Sequence, residues 1–304
     1  MDAKTEIDVK TTKKEKRKIE SLWMDGWLRL KRNKLAMFGL VLVILICAAA
    51  IFAPWITPYD PYDQLIWTEG VSAKLAPPTA DHWFGTDVYG RDIYTRVIYG
   101  ARISLQIGFA ATAISVVIGV FLGCIAGYYG GLVDDFISWL TNVIFAFPFL
   151  LFVLALVAYL PASMPLMYSA IGIISWASFA RVARGQVISL KEMEYVEAAT
   201  AIGGSDFRII FKHILPNILA PIIVQATLEI GSIIMLESSL SFLGFGVQPP
   251  KPAWGYMISD GKQYFLSGQW WWSVFPGLAV MALVLGFNLL GDGLRDALDP
   301  RLKQ

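Results

Sequence analysis

The feature that most constrains this chain is a series of uncharged apolar runs, each close to the ~20 residues a helix needs to cross a bilayer. Residues 35–53 form one, closed by Pro54 and Pro58, and residues 103–129 form a second. From 136 to 180 no side chain but Tyr is ionisable, a stretch too long for one span. Pro161 and Pro165 are therefore expected to divide it into two helices joined by a short turn. A fifth span is expected over about 216–242 and a sixth over about 273–290, with Trp270, Trp271 and Trp272 suited to an interfacial belt. The expected fold is all-α and polytopic, with about six transmembrane helices.

Composition agrees. With 304 residues, 56% hydrophobic content and a mean hydropathy of +0.56, the chain carries more apolar surface than a soluble core of that size buries. A net charge of +1 excludes nucleic acid as a partner held by excess basic charge. Cys47 and Cys124 lie in apolar runs, and His82 and His213 are far apart, so neither a disulfide framework nor a metal site is expected.

Six spans put both termini on one side. Segments 1–34, 181–213 and 292–304 hold nineteen Lys and Arg between them, against six in loops 54–102 and 247–272. The positive-inside rule then makes the termini and the 181–213 loop cytoplasmic. The expected organisation is a cytoplasmic tail and juxtamembrane segment at 1–34, a first span at 35–53 and an extracytoplasmic loop at 54–102. A core of five spans at 103–291 and a cytoplasmic tail at 292–304 follow. A cleaved leader fits poorly, because the polar region ahead of the first run exceeds thirty residues. Arg29, Lys31, Arg32 and Lys34 suit anionic headgroups, so membrane lipid is an expected partner.

Four groups of residues stand out. Gly119, Gly123 and Gly127, at a spacing of four, place three bare backbone patches on one helical face, where another helix can approach closely. Ordinary glycine enrichment in membrane helices is the plainer account. Inside the fifth span, Glu229 and Glu237 are the only acids in an expected membrane interior. Gln225, Glu229 and Ser232 share a face, and with Glu237 they are candidates to line a wet path. A hydrogen-bonded strut between helices is the alternative for Glu229. Between 85 and 92, Gly85 and Gly90 permit tight turns around Asp87, Arg91 and Asp92, an extracytoplasmic structural loop without the calcium-loop pattern, with contact to a delivering protein as the second reading.

The segment EYVEAATAIGGSDFRIIFKHILPN (194–217) carries the most. A helix over 191–202 is expected to end at Gly203 and Gly204, with Ser205 or Asp206 capping a second helix and Pro216 breaking it near the membrane. Ala198 and Ala199 keep the surface low, while Phe207 and Ile210 offer apolar anchors. A hairpin that merely joins two spans is the plainer account.

Glu197, Ala198, Ala199, Gly203 and then Ile214, Leu215 and Pro216 resemble the cytoplasmic EAA signature of binding-protein-dependent ABC importer permeases. HWFGTDVYGRDIYTRVIYGARISL (82–105), ESSLSFLGFGVQPPKPAWG (237–255) and GDGLRDALDPRL (291–302) are similar to the C-type subunit of its oligopeptide and dipeptide branch. The resemblance runs from about Trp27 to the end. It implies the type I ABC importer permease fold and a coupling helix docked on an ATPase subunit. It also implies peptide substrate, a homologous second permease subunit, two ATP-binding subunits and an extracytoplasmic substrate-binding protein. No GxxxxGK[ST] loop is present, so no cofactor is expected in this chain, and ATP and magnesium fall to the partner ATPase subunits. Import of nickel or a metal chelate is the nearest alternative cargo. An ion-gradient transporter using Glu229 would leave the EAA-like loop unexplained, and an intramembrane hydrolase would lack any HExxH or in-span histidine.

Overall fold

The computed structural model describes residues 22–161 and 163–298, and those residues form no named strand. Ten helices of eight or more residues carry the fold: α1 Leu22–Arg32, α2 Lys34–Ile51, α3 Ile93–Tyr129, α4 Gly131–Ala146, α5 Phe149–Tyr159, α6 Met164–Lys191, α7 Glu194–Ala201, α8 Leu215–Phe242, α9 Trp254–Phe265 and α10 Trp271–Leu298. By length and composition α2, α3, α6, α8 and α10 can each cross a membrane, and α4 with α5, bent by 88°, makes a sixth if the pair is one span.

Local chemistry sets the starts. The Asn33 side chain accepts from the amides of Leu35 and Ala36, each at 3.1 Å, and opens α2. The Asp92 carboxylate accepts from the Thr95 amide at 2.7 Å and opens α3. That start lies ten residues before the uncharged run at 103. The basic residues in the added turns reach backbone carbonyls: Arg96 donates from Nη1 to Pro61 at 2.7 Å, and Arg102 to Ala50 and Ile51 at the end of α2. At ~1.5 Å per residue the 37-residue α3 is about 55 Å long, well beyond a ~30 Å hydrocarbon core.

The helices pack through small residues. Along α3, Gly119 faces the Trp176 carbonyl and Phe179 of α6. A Cβ added at Gly123 would lie 2.5 Å from the Ala180 carbonyl oxygen, and one at Gly127 would lie 2.8 Å from Val187. The Ser115 hydroxyl crosses the same seam to the Gly172 carbonyl at 3.0 Å. In α2, Gly39 sits over the Gly286 carbonyl of α10. Ile230 and Ile234 of α8 close around Gly108 of α3.

Several expectations change. The run 136–180 is broken first at Phe147 and Pro148, and only then between Tyr159 and Met164. Pro148 has no amide to donate and restricts the residue before it, so α4 ends where the run looks continuous. Helix α10 extends to Leu298, which takes 292–298 out of the expected tail and packs it on α1, where Gly26 meets the Leu298 side chain. Pro216 does not break the chain: it occupies the first turn of α8, directly after a π-helical turn, Ile209–Ile214. Trp271 and Trp272 are buried and serve the core instead of an interfacial belt; the Trp271 indole donates to the Thr86 carbonyl and Trp272 stacks on Tyr264.

The 85–92 loop is buried as well. Gly85 and Gly90 have φ of +73° and +71°, and Asp87 meets Arg91 at 2.6 Å and Arg96 at 3.9 Å, all three nearly inaccessible. His82 bridges Asp92 at 3.1 Å and Glu69 at 3.4 Å. Burial holds the nearby Asp260 carboxyl above its ordinary range, with the Arg91 charge opposing. These contacts tie loop 54–92, the start of α3 and α9 into one cap at one end of the helices. Arg96 and the Trp254 indole, which donates to the Val97 carbonyl at 2.8 Å, complete it.

Candidate functional site

The opposite end of α3 carries the turn between α6 and α8. Helix α7 stops at Ile202, and Gly203 follows with φ of +81°, a conformation that costs a Cβ-bearing residue ~1–2 kcal/mol. The Gly203 amide donates to the Thr200 carbonyl at 2.9 Å and the Gly204 amide to the Ala199 carbonyl at 3.0 Å, which satisfies the end of α7. Ser205 holds the N-cap position of the next turn without a side-chain cap bond. Asp206 does not cap either: it accepts from the Tyr128 hydroxyl of α3 at 2.9 Å. Lys191, at the end of α6, donates to the Tyr128 carbonyl at 2.6 Å. Tyr128 thus ties both flanks of the turn to α3.

The turn has an inner and an outer face. Val196 and Ala199 of α7, with Ile209, Ile210 and Ile214, are buried against Phe179, Ala183 and Val187 of α6. Outward stand Glu197, Ala198, Ile202, Phe207 and Phe211, with Ile202 at 88% and Phe207 at 71% exposure. The Phe207 and Phe211 rings are 4.3 Å apart. Ala199 and Ile210 therefore anchor the turn from within, and the large outer apolar residues are Ile202, Phe207 and Phe211. Nothing lies within 4 Å of a Cβ added at Gly203, so only its backbone angle demands glycine.

Within α8 the two acids diverge. Glu237 is fully buried, accepting from the hydroxyls of Ser241 at 2.7 Å, Ser104 at 3.3 Å and Ser238 at 3.5 Å. It joins α8 to α3 as a strut, which removes it from the expected path. Glu229 is half-buried and makes no hydrogen bond or ion pair among the described residues. Gln225 is half-buried beside it, and exposed Ser232 returns its hydroxyl to the Leu228 carbonyl at 3.3 Å. A carboxyl in a spanning helix without an internal partner needs water or another chain beside it.

Sequence reasoning missed Tyr128, Ile202 and the Ser104–Glu237 tie. Tyr128 lay at the end of an apolar run, and only the unbroken length of α3 brings it beneath the turn. Ile202 was legible as an apolar residue directly before a glycine pair.

A helical bundle with five spanning helices and caps at both ends, one buried and ionic and the other an exposed turn mounted on three helices, has the architecture of a polytopic membrane protein. Residues 119–304 match the family of binding-protein-dependent transport system inner membrane components, and residues 21–78 match the N-terminal transmembrane domain of oligopeptide transport permease C. The dipeptide transport system permease protein DppC of Alkalihalophilus pseudofirmus is 48% identical over 283 residues, covering 93% of this chain and 91% of that protein. The oligopeptide transport system permease protein OppC of Bacillus subtilis is 44% identical over 284 residues, 93% and 91% of the two chains. The glutathione transport system permease protein GsiD of Escherichia coli is 43% identical over 290 residues, 94% and 92% of the two. The chain belongs to the binding-protein-dependent ABC importer permeases.

Proposed function

We propose that this chain is the C-type permease subunit of an ATP-driven importer of dipeptides or oligopeptides, itself without ATPase activity. The relatives named for dipeptide and oligopeptide transport support that cargo. The subunit would pair with a homologous permease, receive substrate from an extracytoplasmic binding protein, and be driven by two ATPase subunits that hold ATP and magnesium. The nineteen-to-six division of basic residues supports cytoplasmic termini and a cytoplasmic 194–214 turn, with loop 54–92 outside.

The observation that carries the reading is the turn itself: an exposed Ile202 and Phe207 on a base of buried Val196, Ala199, Ile209 and Ile214. A partner closing on that face would push a rigid body, and the push would pass into α6 on one side and α8 on the other. Glu229, Gln225 and Ser232 lie farther along α8, where a moving helix would present them to the substrate path. The test is purification of the assembled complex through this subunit and identification of its subunits and retained peptides by mass spectrometry, with ATP-dependent uptake measured in proteoliposomes. Recovery of two ATPase subunits and peptide uptake is expected; uptake persisting without the ATPase subunits would contradict the assignment.

A further inference from the structure

The corner between α3 and α4 lies beside the 194–214 turn and is gripped on both sides by one helix. Gly130 and Gly131 form it, with φ of +66° and +55°, and nothing lies within 4 Å of a Cβ added at either. Both glycines answer to backbone angle alone, and neither has a side chain to anchor the corner. What holds it lies on either side. Before it, a Cβ added at Gly127 would meet Val187 of α6 at 2.8 Å and the Arg184 carbonyl at 2.9 Å, and Lys191 donates to the Tyr128 carbonyl at 2.6 Å. After it, Arg184 donates from Nε and Nη2 to the two oxygens of Asp134, the second bond at 2.6 Å. The Ser138 hydroxyl, one turn along α4, donates to the same carboxylate at 3.1 Å. A two-bond fork between guanidinium and carboxylate is the strong form of an ion pair, and it is the one ion pair that α4 makes among the described residues.

Little else holds α4 and α5. Of its sixteen residues α4 buries Ile137 and Thr141, and of its eleven α5 buries Val153. Ile137 clusters with Ala126 of α3 and with Ala177 and Ala180 of α6. Arg181 of α6 donates to Asn142 at 3.2 Å. Among the described residues the side-chain hydrogen bonds between α4 and other helices therefore all run to α6, the helix that leads into the 194–214 turn. Taken as one span, α4 and α5 meet at an 88° break whose residues Phe147 and Pro148 are exposed on this chain. Interrupted backbone at membrane depth is tolerated only against protein or a wet cavity, so the pair borders another subunit or water, and its placement bears on transport.

We propose that Arg184 and Asp134 are positioning residues for ATP-driven import: their fork makes the bent α4–α5 pair move with α6 when the 194–214 turn is pushed. Without the fork, the Gly130–Gly131 corner absorbs the motion and α4 lags behind α6. The proposal rests on the import reading above.

The test uses the assembled importer in proteoliposomes and measures peptide uptake beside peptide-stimulated ATP hydrolysis for Arg184→Gln, Asp134→Asn and the exchanged pair Asp134→Arg with Arg184→Asp. Each single substitution is expected to keep stimulated hydrolysis within about twofold and to lower peptide delivered per ATP by about tenfold, the shift expected for loss of a charge-assisted fork. The exchanged pair is expected to recover most of that yield. A second readout is independent of cargo. Spin labels at exposed Leu132 and Ser189, with Cys47 and Cys124 replaced by Ala, report the α4–α6 separation in the same complex. One narrow distance is expected with the fork intact and a broad distribution in Arg184→Gln. An unchanged distribution, or wild-type yield per ATP in both single variants, would overturn the proposal. Parallel loss of hydrolysis and uptake would overturn it in favour of a plain structural role, and an exchanged pair no better than the singles would overturn the pairing. A wild-type complex that hydrolyses ATP without importing peptide would refute the import reading, and the label distances would still decide the fork.

Discussion

At the scale of single residues, burial separates groups that look alike in sequence. Asp87 is one of many loop acids, yet it sits between Arg91 and Arg96 with all three buried. An exposed pair there would contribute under ~1 kcal/mol, whereas removing one partner of a buried set costs ~3–5 kcal/mol. Asp87→Asn, which leaves two guanidinium groups short of a counter-charge, is therefore expected to lower the thermal midpoint of the purified subunit by several degrees. A midpoint unchanged within a degree would place the cluster in water. Glu229 is the converse case, half-buried and unpartnered. Glu229→Gln is expected to leave membrane abundance intact and Glu229→Leu to reduce peptide uptake further than Gln does. Equal, normal uptake by both would take Glu229 off the substrate path.

At the scale of elements, the α3–α6 seam is the most extensive helix contact, and its energetics are steric. At Gly123 an added Cβ meets the backbone carbonyl of Ala180 at 2.5 Å, and backbone cannot rotate away as a side chain can. Gly123→Ala is expected to destabilise by ~1–3 kcal/mol. Gly277→Ala in α10, where nothing lies within 4 Å, is expected to be neutral or to stabilise by up to ~1 kcal/mol. Thermal melts of the two variants check the contrast, and the same sign for both would contradict the packing. The glycine stripe was visible because a spacing of four survives as a pattern in one dimension. Its partner, α6, was not, since nothing in 164–191 marks the matching small residues Ala180 and Ala183. Helices α2, α8 and α10 were legible from run length alone. The break at Pro148 was hidden because the residues on both sides are equally apolar, and the burial of the cap was hidden because its ion pairs, although all within 69–96, are covered only when α9 packs against the start of α3. Likewise the turn's glycines and outer apolar face could be read from 194–217, but the anchoring of Asp206 and Lys191 to Tyr128 depends on where a distant helix ends.

At the scale of the whole molecule, the fold has two capped ends joined by α3, which runs from Asp92 in the ionic cap to Tyr128 beneath the turn. A force on the turn therefore reaches α3 and α6 through Tyr128 and Lys191, and α8 through its continuous helical lead-in from Asp206. The account's central claim is that this turn transmits the work of ATP hydrolysis. Its most direct test is peptide-stimulated ATP hydrolysis and peptide uptake, measured together on the reconstituted complex bearing Gly203→Val. A β-branched residue at φ of +81° strains the turn while meeting no neighbour within 4 Å, so the subunit itself should still fold. Normal membrane abundance and a thermal midpoint lowered by only a few degrees are expected, with peptide stimulation and uptake both reduced by about tenfold or more; wild-type stimulation together with wild-type uptake would contradict the claim.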